Sequence, residues 1–244
     1  MKFDEQISIL NNWFKQANKI VFFSGAGMST ASGIPDFRSD SGLYKKNYAN
    51  MPVEQILSHT TFIKDTKIFY KFYFSHMIYQ DAKPNNGHFV ISNWQTNKDI
   101  KVITQNIDGF HQIAGSKIVY ELHGSVHRNY CVKNHHFYDL KKLLEIHKKQ
   151  EIPLCEIDNS VIKPDVVLYE EGLDNQCIEE SVKALMEAEL LIVGGTSLTV
   201  YPAAGLINYT SSKCKLIIIN KTYTNASCDL QINEDLVKTL SNIK

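Results

Sequence analysis

The chain carries no excess of charge of either sign: 26 lysines and arginines balance 26 aspartates and glutamates. A protein that grips a phosphate backbone needs a basic field, so no nucleic-acid partner is expected. No apolar run nears the ~20 residues of a membrane-spanning helix, so no membrane partner is expected. Cysteine is scarce, odd in number at five, and irregularly spaced. That excludes a disulfide framework and points to reduced thiols in a cytoplasm. The opening stretch MKFDEQISILNNWF places acids where an export signal is basic and then apolar. Export is therefore not expected, and a cytoplasmic monomer is. Repeats and low-complexity tracts are lacking too. What remains, 43% hydrophobic and 21% charged over 244 residues, suits one large α/β domain, bare or carrying insertions.

Four short, nearly continuous apolar runs read as parallel strands covered on both faces: Ile20–Phe23, Ile100–Thr104, Leu190–Val193 and Leu216–Ile219. Helical patterns lie at residues 4–17, Asn86–Trp94 and Ile178–Ala188. Alternation of this kind predicts a Rossmann-like parallel sheet with helices on both faces, built from residues 1–39, 84–123 and 165–244. Two stretches break the rhythm. Residues 40–83 hold an aromatic helical pattern, and residues 124–164 hold a basic helix, Lys141–Lys149, between two cysteines. Both read as insertions forming a smaller module, with the substrate cleft between it and the sheet.

The strand ends carry the chemistry. The first run leads into Ser24-Gly25-Ala26-Gly27, the second into Gln105-Asn106-Ile107-Asp108, the third into Gly194-Gly195-Thr196-Ser197 and the fourth into Asn220. Ligands of open parallel sheets sit beyond the carboxyl ends of the strands, so four polar ends suggest one polar ligand. Singly each has a bland explanation: a tight turn at the glycines, or a helix cap at Asp108. The first loop goes on to Asp36-Phe37-Arg38, an aromatic ring and a cation that a plain dinucleotide turn does not need. His123-Gly124 closes a further run, Ile118–Leu122, and places an imidazole at the same edge.

Together GAGMSTASGIPDFRS, TQNIDGFHQIAG, ELHG, KPDVVLYEE, GTSLTVYPA and IIIN resemble the sirtuins, NAD-dependent protein lysine deacylases, in the family's order from about Ile20 to Asn220. The resemblance implies a Rossmann-like domain plus a helical and zinc-ribbon module. It implies that Gly25, Ala26, Gly27, Thr30, Asp36, Phe37 and Arg38 form the cofactor loop, with Phe37 shielding the reactive ribose from water. Gln105 and Asn106 are implied at the ribose, and Ile107 and Asp108 at the nicotinamide carboxamide. Gly195, Thr196, Ser197, Asn220 and Asp235 are implied at the adenosine half. His123 is implied as general base and Asn106 as its catalytic companion. An acyl oxygen attacks the ribose to give an alkylimidate, and the products are lysine, nicotinamide and O-acetyl-ADP-ribose. Val166, Val167 and Leu168 are implied to pair with an acylated peptide as an added strand. Tyr70 is expected at the acyl pocket. Tyr73 stands where family members that prefer acidic acyl groups have arginine, so acetyl or another neutral group is expected over succinyl. Protein ADP-ribosyl transfer, NAD hydrolysis and a non-catalytic NAD- or peptide-binding module stay open beside deacylation.

Two departures from the family stand out. Each C-x-x-C pair keeps one cysteine: Cys131 is followed at the partner position by Asn134, and Cys155 by Asp158. The two cysteines are read as vestigial, with no metal and zinc expected to be absent. His135 or His136 with Asp158 is the makeshift alternative. Without metal, Tyr130, Val132, Phe137, Leu140, Leu143, Leu144 and Ile152 are expected to hold the module by apolar packing. The second departure is Glu170 in Tyr169-Glu170-Glu171, where the family has glycine; a solvated charge is the expectation.

Overall fold

In the computed structural model, residues 1–37, 42–45, 48 and 50–244 are described. Along the chain, helix α1 (Phe3–Gln16) leads into strand β1 (Lys19–Ser24). Short helices α2 (Val53–Ile56) and α3 (His59–Lys64) precede α4 (Thr66–His76) and α5 (Asn86–Trp94). Then come β2 (Asp99–Thr104), α6 (Phe110–Ile113) and β3 (Val119–Glu121). Strands β4 (Gly124–Cys131) and β5 (Phe137–Asp139), helix α7 (Leu140–His147) and strand β6 (Ile162–Val166) come next. The chain returns through α8 (Asn175–Glu187), β7 (Leu190–Gly194), β8 (Lys215–Ile219), β9 (Leu230–Ile232) and α9 (Leu236–Leu240).

Six strands pair in parallel in the order β3-β2-β1-β7-β8-β9. The four apolar runs fill the middle of this sheet, and Phe22, Phe23, Ile192 and Ile218 have no exposed surface. One face packs on α1 and α5 through Leu10, Phe14 and Ile91. The other packs on α8 through Ala184 and Leu185. A side chain buried so fully contributes about 1.5–3 kcal/mol, which explains why both faces need helices. Strand β9 is not signalled in the sequence, because three residues are too few to show a period.

A second sheet, antiparallel, runs β5-β4-β6. Its strands put the opposite face inward from the one expected. Cys131, Tyr138, Leu143, Ile146, Cys155 and Ile162 form the buried cluster. Val132 and Phe137 are left 49% and 57% exposed. Strand alternation sends neighbours to opposite sides, so once the cysteines turn in, Val132 must turn out. Beside this sheet, α2, α3 and α4 bury an aromatic cluster of Phe62, Phe69, Tyr70, Phe72 and Tyr73, joined to Val166 and Leu168.

Candidate active site

The carboxyl ends of β1, β2 and β7 lie side by side, with Ser24 level with both Thr104 and Gly194. Glycine lets their loops touch. A Cβ on Gly25 would lie 2.6 Å from Thr196 Cβ, and one on Gly27 would lie 2.7 Å from Gly195 Cα. Gly25 N–H donates to the Gly194 carbonyl at 3.1 Å, and Gly27 N–H to that of Gly195 at 2.8 Å. Those two amides therefore serve loop packing. Gly25 lies behind the wall of the cleft rather than on it.

That cleft, about 730 Å³, is lined by Ala26, Gly27, Thr30, Asp36 and Phe37 from the first loop. Gln105, Asn106, Ile107, Asp108 and His123 line it from β2 and β3. Gly195, Thr196, Ser197, Asn220 and Asp235 line one end, and Val166, Val167 and Leu168 another. Arg38 falls outside the described residues. Tyr70 does not reach the cleft. It is fully buried, and its hydroxyl donates to the Ile162 carbonyl. Tyr73, three residues on and almost one helical turn round, is the residue of this pair on the wall. Its hydroxyl is buried with no protein partner.

His123 Nδ1 lies 2.8 Å from the Gln105 carbonyl. A carbonyl only accepts, so Nδ1 carries the proton and Nε2 presents its lone pair. Burial pushes the pKa of this ring below the ordinary value, against the opposing pull of that hydrogen bond. Gly124 makes the arrangement possible: its φ is +73°, and a Cβ there would lie 1.9 Å from the Asp165 carbonyl oxygen. Val167 N–H donates to the His123 carbonyl at 3.0 Å.

Ser29 was not singled out in the sequence, yet it ties the polar groups together. Its hydroxyl donates to Asp108 Oδ2 at 2.6 Å, and Asn106 Nδ2 donates to it at 3.1 Å. Asp108 Oδ1 meanwhile accepts from Phe110 N–H at 2.9 Å. The expected helix cap is not made by Asp108, since Gly109 is the N-cap of α6; Oδ1 instead closes a turn two residues on, and Oδ2 meets Ser29. Burial raises the Asp108 pKa, while the Ser29 and Phe110 bonds act the other way. A hydroxyl just past a glycine turn was the available signal for Ser29.

At the far end, Thr196 Oγ1 donates to Gln105 Oε1 at 2.8 Å. That leaves Gln105 Nε2 buried without a partner, a donor that a bound ribose hydroxyl would satisfy. Thr30 Oγ1 is turned to the Gly27 carbonyl at 3.0 Å. Asp235 caps α9 by accepting from Lys238 N–H at 2.9 Å and pairs with Lys221 at 3.1 Å. Phe37 packs on Tyr44 at 5.2 Å between ring centres, and the Tyr44 and Tyr169 hydroxyls are hydrogen-bonded.

Glu170 is not simply solvated. It has φ of +75°, the left-handed region that explains glycine at this place in the family. Its carboxylate accepts from Thr60 N–H at 2.9 Å and Thr60 Oγ1 at 2.6 Å, in the first turn of α3. Glu171 beside it accepts from Leu168 N–H at 2.9 Å and binds Lys163 at 3.0 Å. Replacing Glu170 by alanine keeps the backbone cost and loses the carboxylate; replacing it by glycine removes both. Thermal unfolding is therefore expected to rank E170A below E170G.

The strand-end loops thus bring a half-buried imidazole, a buried amide and an unpartnered donor to the wall of one cleft. The chain belongs to the Sir2 family, whose model matches residues 25–202. It is 50% identical over 243 residues to the NAD-dependent protein deacetylase of Clostridium acetobutylicum, covering 98% of each. It is 48% identical over 245 residues to that of Clostridium perfringens, covering 98% of this chain and 99% of the other. A solved Sir2 variant with deacetylated p53 peptide and 3'-O-acetyl ADP-ribose has a TM-score of 0.89 at 35% identity, covering 99% of this chain and 97% of that one. A Sir2 complex with p53 peptide and NAD+ has a TM-score of 0.86 at 36% identity, covering 99% and 96%.

Proposed function

We propose that this chain is an NAD-dependent protein lysine deacetylase that releases lysine, nicotinamide and O-acetyl-ADP-ribose. The observation that carries the reading is the His123 tautomer. With Nδ1 tied to the Gln105 carbonyl, only Nε2 is free to take a proton, and it sits on the wall shared with Asn106 and Asp108. A ribose hydroxyl there is the proton donor the chemistry needs. NAD is the co-substrate. Gln105 Nε2 and Asn106 fit its ribose, Asp108 and Ile107 its carboxamide, and Thr196, Ser197, Asn220 and Asp235 its adenosine half. Ala26, Thr30, Asp36 and Phe37 close the loop over it and exclude water from the ribose carbon.

The acylated peptide enters between the sheet body (residues 1–39, 84–123 and 165–244) and the smaller module (residues 40–83 and 124–164). There Val166, Val167 and Leu168 offer main chain to a strand. Among the described lining residues, the lysine is Lys221, paired with Asp235 at the adenosine end. Tyr73 at the other end supplies a hydroxyl but no charge. Acetyl and other neutral acyl groups are therefore preferred to succinyl, whose carboxylate would be buried unpaired. No helix among the described residues is long and apolar enough to cross a membrane. Incubation with NAD and acetyl-lysine peptide, read by mass spectrometry, is expected to give equal nicotinamide and O-acetyl-ADP-ribose. Free ADP-ribose or an ADP-ribosylated peptide as the main product would overturn deacylation. The succinyl peptide is expected to turn over at least about tenfold more slowly, a difference of roughly 1.4 kcal/mol in the barrier.

A further inference from the structure

Behind the cleft wall, three buried side chains form a line of hydrogen bonds that the proposed chemistry does not use. Ser24 and Thr104 close β1 and β2 level with each other, and the Ser24 hydroxyl donates to Thr104 Oγ1 at 2.9 Å. His111 Nε2, on α6, lies 3.0 Å from the same Ser24 oxygen. A hydroxyl has one proton to give. Ser24 gives it to Thr104, so His111 carries its proton on Nε2 and donates to Ser24. The neighbouring ring, His88, accepts from Asn85 N–H at Nδ1, which leaves its own proton on Nε2. Among the described residues, His111 Nδ1 and His88 Nε2 meet no hydrogen-bond partner. Such unmet nitrogens cost stability, and an apolar side chain of similar size would not incur that cost. The bond to Ser24 is what the His111 ring supplies in return.

Thr104 passes the constraint to a single peptide unit. Asn106 N–H donates to Thr104 Oγ1 at 3.1 Å. The carbonyl of that same unit belongs to Gln105, and it accepts from His123 Nδ1 at 2.8 Å. A peptide unit is planar, so its N–H and its carbonyl point opposite ways and turn together. Fixing the N–H on Thr104 therefore aims the carbonyl, and the carbonyl in turn holds the His123 ring with its proton on Nδ1. The preceding unit is pinned by main chain at both ends. Gln105 N–H donates to the Ser24 carbonyl at 2.9 Å, and Leu122 N–H to the Thr104 carbonyl at 2.9 Å. The 105–106 unit has a side chain, Thr104, in the place of such a main-chain partner at its N–H.

We infer that His111 is a positioning residue for the reaction: through Ser24 and Thr104 it sets the 105–106 peptide unit, and through that unit the orientation and tautomer of His123. The inference rests on the reading of His123 as general base. His111 does not line the cleft, so it acts only through the line of bonds. Hydrogen bonds in such a buried line polarise and strengthen one another. Without the His111 proton, Ser24 Oγ is left buried with no donor, and its own proton is no longer directed at Thr104. Thr104 Oγ1 then loses the bond that holds it beneath Asn106 N–H, and the Gln105 carbonyl is free to turn from His123.

The test pairs nitrogen-15 spectra of the histidine rings with turnover, both on the full chain. The His123 signals are assigned by their loss in H123A. Above about pH 7, where an ordinary histidine is neutral, the parent is expected to show His123 protonated at Nδ1 and bare at Nε2. H111L and S24A are expected to move both signals toward the values of mixed tautomers. They are also expected to lower kcat by about ten- to a hundredfold, the scale of a small misplacement of a reacting group. H111Q, whose side-chain amide still donates to Ser24, is expected to restore the parent spectrum and most of the rate. H88Q alters the neighbouring buried ring but leaves the line of bonds intact, and is expected to keep both. A merely structural His111 would lower the unfolding temperature in H111L without moving the His123 signals. Should H111L not fold, S24A, which removes one oxygen, carries the same readouts. Parent-like His123 signals in the folded variants, a loss of kcat smaller than about tenfold in them, or an equal loss in H88Q would each overturn the inference. The spectra need no turnover. A parent with the expected tautomer, sensitive to H111L, that deacetylates nothing would overturn the deacetylase reading and leave the link from His111 to His123 standing.

Discussion

Replacing His123 by alanine is expected to lower turnover by about 10²–10⁴-fold, the usual contribution of a positioned general base, while NAD and peptide still bind. The reason is geometric. The ring is held from one side only, by the Gln105 carbonyl at 2.8 Å, and its removal leaves Asn106 bound to Ser29 and Gln105 bound to Thr196. The groups proposed to hold the co-substrate keep their partners, so the loss appears in kcat rather than in binding. The pH profile adds a second readout. Burial lowers the pKa of His123, so Nε2 stays unprotonated to lower pH than a solvent-exposed histidine. The rate is expected to hold as pH falls through about 6.5, the ordinary value, and to decline only below it. H123A is expected to lose that acid limb. Turnover by H123A within tenfold of the parent, roughly 1.4 kcal/mol, would remove the imidazole from the mechanism.

The central strands and the gathering of polar strand ends were legible because burial on two faces writes continuous apolar runs, and each run stops abruptly at a short polar loop. Asn106, Asp108 and His123 were found that way. Ser29 was not, since one of two serines in GMSTAS has no periodicity to mark it. Tyr70 and Tyr73 show a different limit. Both belong to one aromatic helix, and a helix whose apolar residues occupy most of its circumference does not announce which ring faces a cavity. Only the packing of α4 against β6, with Tyr70 reaching the Ile162 carbonyl, decides it. The small module was hardest. Counting C-x-x-C leaves two cysteines, and does not show that His136 and Asp158 gather beside them within 4.8 Å. Glycine positions were partly legible: Gly27 and Gly195 read as ligand-contacting residues but first serve each other.

Acid is expected to destabilise the fold well before carboxylates protonate, because two histidines lie buried beside the carboxyl end of β1. His88 has no exposed surface and His111 has 1%, and their ring centres are 4.9 Å apart. Burial drives the pKa of His88 from 6.5 down to about 4. His111 is shifted in the same direction by burial and by His88. Neither ring has a carboxylate bonded to it. Asn85 N–H donates to His88 Nδ1 at 3.2 Å, and His111 Nε2 meets Ser24 Oγ at 3.0 Å. The unfolded chain, with ordinary histidine values, takes up protons first. Stability is therefore fully present above about pH 6.5 and is lost as pH falls toward the folded value. For His88 alone the loss is about 2 kcal/mol by pH 5 and approaches about 3 kcal/mol below pH 4. In a chain of this size the pH 5 loss corresponds to a fall of roughly 4–8 °C in unfolding temperature. The same protons threaten the site, since Ser24 Oγ donates to Thr104 Oγ1 at 2.9 Å and Asn106 N–H donates to that oxygen at 3.1 Å. Unfolding temperatures at pH 7.5 and 5, compared with H88Q, read the effect: a steep parent slope and a shallower variant slope are expected. Equal parent stability at the two pH values would show that these rings titrate in the folded state as they do in water.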